Sequence, residues 1–325
     1  MRMSCHSERR KAIRTFRIAG SAIDAFDSIV VELSDSQRVG RGEALGVPYL
    51  DETPGRLLQQ VQSIEAKISR GIDRAELQTL LPPGGARNAI DCALWDLEAK
   101  ATGQRIWTLT GVSPRELETV FTIGIEATPA EMAARSASVP THSLLKVKLD
   151  GEDPVGRVRA IRAARPDARI VVDANQGWTF SQLVAVAPEL ASLGVTLIEQ
   201  PLLRGADEAL EGHRSPVPLC ADESCQHIGE LEQVARRYQF VNVKLDKTGG
   251  LTHALQLVRA ARERELGVMV GCMGGSSLAI APAFVVGCLS DLVDIDGPLL
   301  LQSDRLPGLT YRGGQVTPYG AEVWG

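Results

Sequence analysis

Two lysines, Lys146 and Lys148, sit in the apolar run Leu144-Leu145-Lys146-Val147-Lys148-Leu149, which the turn pair Asp150-Gly151 ends. Such a run reads as a strand, and residues at i and i+2 of a strand share a face, so the two amines project together. Alone they would be a solvated strand edge. Downstream, three further strand-like runs close on a carboxylate: Ile170-Val171-Val172-Asp173, Thr196-Leu197-Ile198-Glu199 and Pro218-Leu219-Cys220-Ala221-Asp222. A fourth, Phe240-Val241-Asn242-Val243-Lys244, closes on another lysine. A single Asp after a strand is commonly a helix cap. Three carboxylates brought together would repel one another and raise each other's pKa, and a divalent cation resolves that. An all-oxygen set with room for substrate suits Mg2+. Lys148 precedes the carboxylates and Lys244 follows them, so the two should face each other across the metal. A free lysine titrates at about 10.4, too high for a base at neutral pH. A divalent cation and the second ammonium of Lys146 would bring it toward the useful range of about 7–8. Two opposed amines beside a metal suit removal of a proton α to a carboxylate and its return from the other side. The metal would hold the enediolate; the outcome is racemisation or epimerisation.

Something must bring these strand ends together. From about Thr119 strands and helices alternate: helices fit Pro154–Ala164, Phe180–Leu193, Ile228–Arg237 and Leu251–Glu265, and further strands fit Val268–Val270 and Leu292–Asp296. Repeated βα units imply parallel strands joined by crossovers. Seven or eight in a row favour a closed barrel, whose C-terminal strand ends converge on one face. No G-x-G-x-x-G opens a helix after a strand, which disfavours a dinucleotide fold. Ahead of this lies an α+β unit: strands Arg14–Ile18, Ser28–Leu33 and Val39–Ala44, a loop over 19–27, helices over 56–69 and 87–100. Ala89, Ile90, Ala93, Leu94 and Leu97 recur at helical spacing in the last.

With 325 residues, 44% of them hydrophobic, the chain can bury a large core. A formal net charge of −5 argues against nucleic acid as a partner. Six cysteines without metal-type spacing read as reduced thiols of a cytoplasmic protein. The charged N-terminal stretch has no secretory pattern, and no apolar run is long enough to span a bilayer, so no membrane role is expected. A homo-oligomer remains compatible with the sequence.

The ordered motifs Lys146-Val147-Lys148, Asp173-Ala174-Asn175, Glu199-Gln200-Pro201, Asp222-Glu223-Ser224 and Asn242-Val243-Lys244-Leu245-Asp246-Lys247-Thr248-Gly249-Gly250 resemble the enolase superfamily, muconate-lactonizing-enzyme subgroup. Gly271-Cys272-Met273, Asp294-Ile295-Asp296-Gly297-Pro298 and the stretch from Pro83 to Leu97 are similar to the dipeptide epimerases within it, the L-Ala-D/L-Glu type above all. The resemblance covers nearly the whole chain. It implies a (β/α)7β TIM-like barrel over residues 119–298, an α+β capping domain over 1–118, and a segment over 299–325 that packs back on the cap. It implies Mg2+ on Asp173, Glu199 and Asp222, Lys148 and Lys244 as the acid/base pair, and Lys146 polarising the substrate carboxylate. It further implies substrate contacts from Asp294, Asp296, Thr122 and Met273, with the aspartate pair anchoring the free ammonium of an L-Ala-L-Xaa dipeptide. Lys247 would be structural, and Asp246 has no assigned role. The metal and lysine motifs are shared by cycloisomerases, o-succinylbenzoate synthases and N-acyl amino acid racemases, so these stay open. From another class, a Schiff-base aldolase with Lys244 as nucleophile and a non-catalytic barrel are the competing readings.

One departure concerns the second residue of the dipeptide. Ala-Glu epimerases of this type place an arginine on a mobile loop after the first strand. Here that position falls at Gly20, and no basic residue lies between Ala19 and Asp27. Arg17 is the alternative donor. A bidentate Arg–carboxylate contact is strong and specific, so its loss implies a broader, neutral or basic preference at Xaa.

Overall fold

The computed structural model describes residues 1–325. The chain opens with an antiparallel sheet of β1 (Arg2–Ile18), β2 (Ser21–Ser34) and β3 (Val39–Ala44). Helices α1 (Pro54–Ser63), α2 (Glu65–Ser69), α3 (Arg74–Leu80), α4 (Gly85–Thr102) and α5 (Ile106–Thr110) follow. β3 lies against α4 at backbone distance: a Cβ on Gly42 would stand 2.1 Å from the carbonyl oxygen of Ala89, and one on Gly40 2.2 Å from that of Ala93. Glycine on the strand and alanine on the helix are what let the two backbones approach. The apolar faces of β2 and α1 to α4 close a core around Ile29, Val31, Leu57, Ile68 and Ile90.

After the short β4 (Leu117–Glu118), strands and helices alternate. They are β5 (Phe121–Ile123), α6 (Pro129–Ala137), β6 (Leu144–Lys148), α7 (Pro154–Ala164), β7 (Arg169–Asp173), α8 (Phe180–Ser192) and β8 (Val195–Glu199). β9 (Leu219–Ala221), α9 (Leu231–Arg237), β10 (Phe240–Val243), α10 (Leu245–Thr248), α11 (Leu251–Arg262), β11 (Gly267–Val270), α12 (Ser277–Gly287) and β12 (Leu292–Val293) complete the series. β5 to β12 form one parallel sheet in sequence order. Its two edges meet where the Val120 N–H donates to the Val293 carbonyl at 2.9 Å, so the sheet is a (β/α)7β barrel. The crossover from β8 to β9 carries only a 3-10 turn, Glu208–Leu210. The main apolar core lies between strands and outer helices. Helix starts follow the local chemistry: Thr179 with Gln182 and Thr128 with Glu131 each make a reciprocal capping box. No helix is long and apolar enough to cross a membrane, and all six cysteines are free thiols.

The segment after Leu300 runs back along the N-terminal unit. Leu301 bridges Ala12, Arg305 pairs with Glu8 at 2.7 Å, and the Trp324 indole donates to the Arg41 carbonyl at 3.0 Å. β13 (Tyr311–Arg312) and β14 (Gln315–Val316) add to β4. The same segment also touches the barrel, where the Tyr319 hydroxyl donates to the Ala281 carbonyl at 2.7 Å.

Several expectations are corrected. The first strand starts at Arg2 rather than Arg14, and residues 21–27 are strand rather than loop. They pair with β1 as a hairpin turned by Ala19-Gly20, with Gly20 at φ +73°. Its charged partner strand gives no clean apolar alternation, and the register slips between Lys11 and Phe16. The helix over 56–69 breaks at Ile64, whose φ/ψ of −110°/8° leaves the helical region. The last barrel strand stops at Val293, short of Asp296. α12 had no helical signal because it is apolar all round and buried on every face. α3, α5 and α6 span two turns or so each and give little periodicity to read.

Candidate active site

The barrel interior has two storeys. Val120, Leu144, Val171, Leu197, Cys220 and Met269 pack together, with Phe240 and Leu292 against them, as an apolar plug. Strand period puts the residue two positions on above each one. Those residues are Thr122, Lys146, Asp173, Glu199, Asp222, Gly271, Asn242 and Asp294. Lys148 stands one step above Lys146, beside Asp173 and Glu199 in register. The same alternation that fills the plug therefore delivers the polar layer.

In that layer every amine meets carboxylates. Lys148 Nζ lies 2.6 Å from Asp173 Oδ2. Lys146 Nζ lies 3.0 Å from the same oxygen, 2.6 Å from Glu199 Oε2 and 2.7 Å from Asp294 Oδ2. Lys244 Nζ is 2.6 Å from Asp222 Oδ2. Burial alone would raise the Asp173 carboxyl, but Lys146 and Lys148 outweigh it and hold it below the usual carboxylate range. Asp222 is held low in the same way by Lys244 and Lys247. Glu199 is pushed up to about 7 by burial and by the Asp173 charge. Burial lowers Lys146 and Lys244, yet their carboxylate neighbours leave both above the ordinary lysine value. At Lys244 the Lys146 ammonium also lowers the pKa, and Asp222 with Glu199 outweighs it.

Asp173, Glu199 and Asp222 each turn toward a lysine, and their oxygens do not all lie within 4.8 Å of one another. The donor set still suits a hard cation. Glu199 Oε2 is buried and accepts no hydrogen bond, since Lys146 stands beside it without the alignment for one. Asn175 Oδ1, two residues after Asp173, and Glu223 Oε2, next to Asp222, are buried acceptors without donors as well. Buried oxygens in that state are uncommon and call for a partner. A tighter trio, Cys272, Asp294 and Asp296, has its ligand atoms within 4.8 Å. Burial and the two aspartates push the Cys272 thiol up to about 12, so it stays neutral and a poor ligand.

Asp294 and Asp296 are both buried and line the same cleft. Asp296 Oδ2 accepts the Thr122 N–H at 2.7 Å, and burial with the Asp294 charge raises it to about 7. Thr122 and Met273 line the cleft too. Its volume is ≈ 600 Å³, and the β1–β2 hairpin and the segment 45–54 wall it from above. The hairpin tip, Ala19-Gly20, carries no basic side chain, and Arg17 lies in a separate small depression with Arg14, Glu126 and Arg135.

Four residues of the site had no partner assigned from the sequence. Lys247, expected to be structural without a named partner, turns back from α10 with its side chain fully buried. It donates to Asp222 Oδ1 at 2.7 Å, to the Asp222 carbonyl at 2.5 Å and to the Asn242 carbonyl at 2.9 Å. Asn242, two before Lys244 and on its face, donates to Glu199 Oε1 at 2.8 Å. Gln200, at φ +34°, accepts the N–H groups of Asp222 and Ser224 at 2.9 and 3.0 Å and so ties β8 to β9. Asp246 Oδ1 reaches the other way, accepting the Leu45 and Gly46 N–H groups at 3.0 and 2.8 Å. The i, i+2 rule pointed to Asn242; nothing local pointed to Gln200 or Asp246.

Comparison with known proteins matches both halves of the chain. The family model for the mandelate racemase / muconate lactonizing enzyme N-terminal domain matches residues 5–111, and the enolase C-terminal domain-like model matches 129–316. The L-Ala-D/L-Glu epimerase of Escherichia coli K12 is 42% identical over 291 residues, 89% of this chain and 90% of that one. An N-acetyl-D-glutamate racemase from a Pseudoalteromonas species is 40% identical over 299 residues, 91% of this chain and 95% of that one. Among solved structures, an enolase family member from Agrobacterium tumefaciens with homology to dipeptide epimerases superposes with a TM-score of 0.97 at 40% identity. It covers 99% of both chains and holds sodium and L-Ala-L-Glu with an ordered loop.

Proposed function

The chain belongs to the mandelate racemase / muconate lactonizing enzyme family, and from that premise we propose that it is a Mg2+-dependent dipeptide epimerase inverting the α-carbon of the C-terminal residue. The observation that carries this reading is the placement of the two lysines. Lys148 ends β6 and Lys244 follows β10, four steps apart round a ring of eight strands, so they stand on opposite walls of one cleft. One amine takes the α-proton from one side of the carbon and the other returns a proton from the opposite side. Each is aimed by its own carboxylate, Asp173 or Asp222. Lys146, buried between them, is fixed by Asp173, Glu199 and Asp294 and presents positive charge to the substrate carboxylate.

Asp173, Glu199 and Asp222 are the residues that would hold Mg2+, whose charge would favour the developing negative charge on the substrate and ease deprotonation of the lysines. Asp294 and Asp296 end the same cleft with two carboxylates, which suits a free ammonium. The identity to an N-acetyl-D-glutamate racemase favours a second reading, an N-acylated amino acid. Such a substrate offers the aspartate pair no charge. The test is deuterium exchange in D2O with Mg2+ and L-Ala-L-Xaa dipeptides. Lys148→Ala and Lys244→Ala should each abolish epimerisation yet retain exchange of one α-epimer only, and the retained epimers should be opposite. Exchange of both epimers in either variant would end the two-base scheme, and exchange of N-acetyl amino acids alone would establish the second reading.

A further inference from the structure

The outer half of the cleft carries a chemistry distinct from its floor. Every positive side chain lining the cleft is one of the three strand lysines, and each is engaged by a strand-end carboxylate. No arginine or histidine lines it. The roof is apolar: Phe16, Ile18, Ile23 and Phe26 come from the hairpin, with Met273 and Leu300 opposite on the barrel side. Ile23, Met273 and Leu300 pack on the small cluster that Phe26 forms with Ala12, Leu45 and Leu301. This wall is therefore anchored to the barrel rather than free to swing. Phe26 is seated on Gly274, where a Cβ would come within 2.6 Å of its ring. Arg17 alternates to the other face of β1, between Phe16 and Ile18, and does not line the cleft.

Three carboxylates also reach the outer cleft, and each already has a partner. Asp27 pairs with Arg9 at 2.9 Å. Asp51 pairs with Arg56. Glu52 accepts the N–H groups of Val47 and Gly85 at 2.9 and 3.0 Å. They would repel an acidic side chain, and none of the three is free to pair with a basic one; Glu223, whose Oε2 has no donor, lines the cleft next to Asp222 among the carboxylates of the floor. A charged group placed here would be desolvated without compensation, while an apolar one would bury favourably against the roof.

We propose that the second residue of the dipeptide carries an uncharged apolar side chain, received between the hairpin residues Phe16, Ile18 and Ile23 and the barrel residues Met273 and Leu300. This rests on the epimerase reading above and specifies its substrate class. The experiment measures kcat/KM for L-Ala-L-Leu, L-Ala-L-Phe, L-Ala-L-Glu and L-Ala-L-Lys by α-deuterium incorporation, with the whole chain and Mg2+. An apolar dipeptide should exceed both charged ones by about tenfold or more. Ser21→Arg, at an exposed position lining the cleft, supplies a guanidinium. It should shift the ratio of Ala-Glu to Ala-Leu toward glutamate by about tenfold. Ala-Glu or Ala-Lys turning over as well as the apolar dipeptides would overturn the proposal and leave the epimerase reading standing. So would a Ser21→Arg ratio equal to that of the wild type. Exchange with no dipeptide at all would overturn both.

Discussion

Replacing Lys247 by Met tests how the Asp222 carboxylate is held. Methionine keeps the unbranched stem in its packed slot and removes the ammonium. Three acceptors lose their donor together: Asp222 Oδ1, the Asp222 carbonyl and the Asn242 carbonyl. The side chain is fully buried and Asp222 nearly so, so water does not replace the lost bonds. Removing one partner of a buried pair costs about 3–5 kcal/mol. The carbonyls add to this, while Lys244, still 2.6 Å from Oδ2, limits it. At about 2.1 cal/mol/K per residue, a chain of 325 residues loses roughly 1.5 °C in midpoint per kcal/mol, so the variant should melt about 4–7 °C lower. The assay is thermal unfolding followed by circular dichroism in EDTA, which removes any metal contribution. A drop of less than about 2 °C would show that Lys247 does not hold Asp222 and would refute the electrostatic account of the floor.

Three further outcomes are expected. Glu199→Gln keeps side-chain volume and removes a ligand charge, so calorimetry should show Mg2+ affinity down at least about tenfold with the far-ultraviolet spectrum unchanged; wild-type affinity would discard Glu199 as a ligand. Gly42→Ala drives a Cβ to 2.1 Å from the Ala89 carbonyl, and the forced shift of α4 from β3 should lower stability by about 1–3 kcal/mol in urea unfolding. An unchanged urea midpoint would mean that strand and helix separate freely. Asp296→Asn should lower kcat/KM for a free dipeptide by a factor equivalent to about 3–5 kcal/mol and leave its N-acetyl form less affected; equal losses would make Asp296 a structural partner of Thr122 alone.

The barrel was legible because its parallel strands are short apolar runs, six of the eight ending on or followed by an ionisable residue, and period two fixes which side chains share the interior. Lys146, Asp173, Glu199 and Asp222 could be placed from that rule alone. The hairpin was not legible. Its pairing is long-range in register and carried by backbone bonds between a charged strand and a mixed one, so side-chain alternation says little. α12 was hidden for the opposite reason, having no polar face. Gln200 and Lys247 escaped because their partners are met through a turn: Gln200 through a positive φ, Lys247 through the single turn of α10. Local periodicity does not encode where a chain folds back.

The contact between Asp246 and the segment that walls the cleft is made to the main-chain N–H groups of Leu45 and Gly46. Main-chain donors are the same whatever side chain a residue carries, unless it is proline. This joint therefore asks little of the side chains of the segment 45–54, whereas the hairpin is seated through its own side chains, Phe26 on Gly274 and Ile23 against the same cluster. Exposed side chains of the segment 45–54 can be exchanged, by selection or by design, while α10, which follows Lys244, keeps its anchor. A lineage built this way can explore new substrates without first relearning its chemistry.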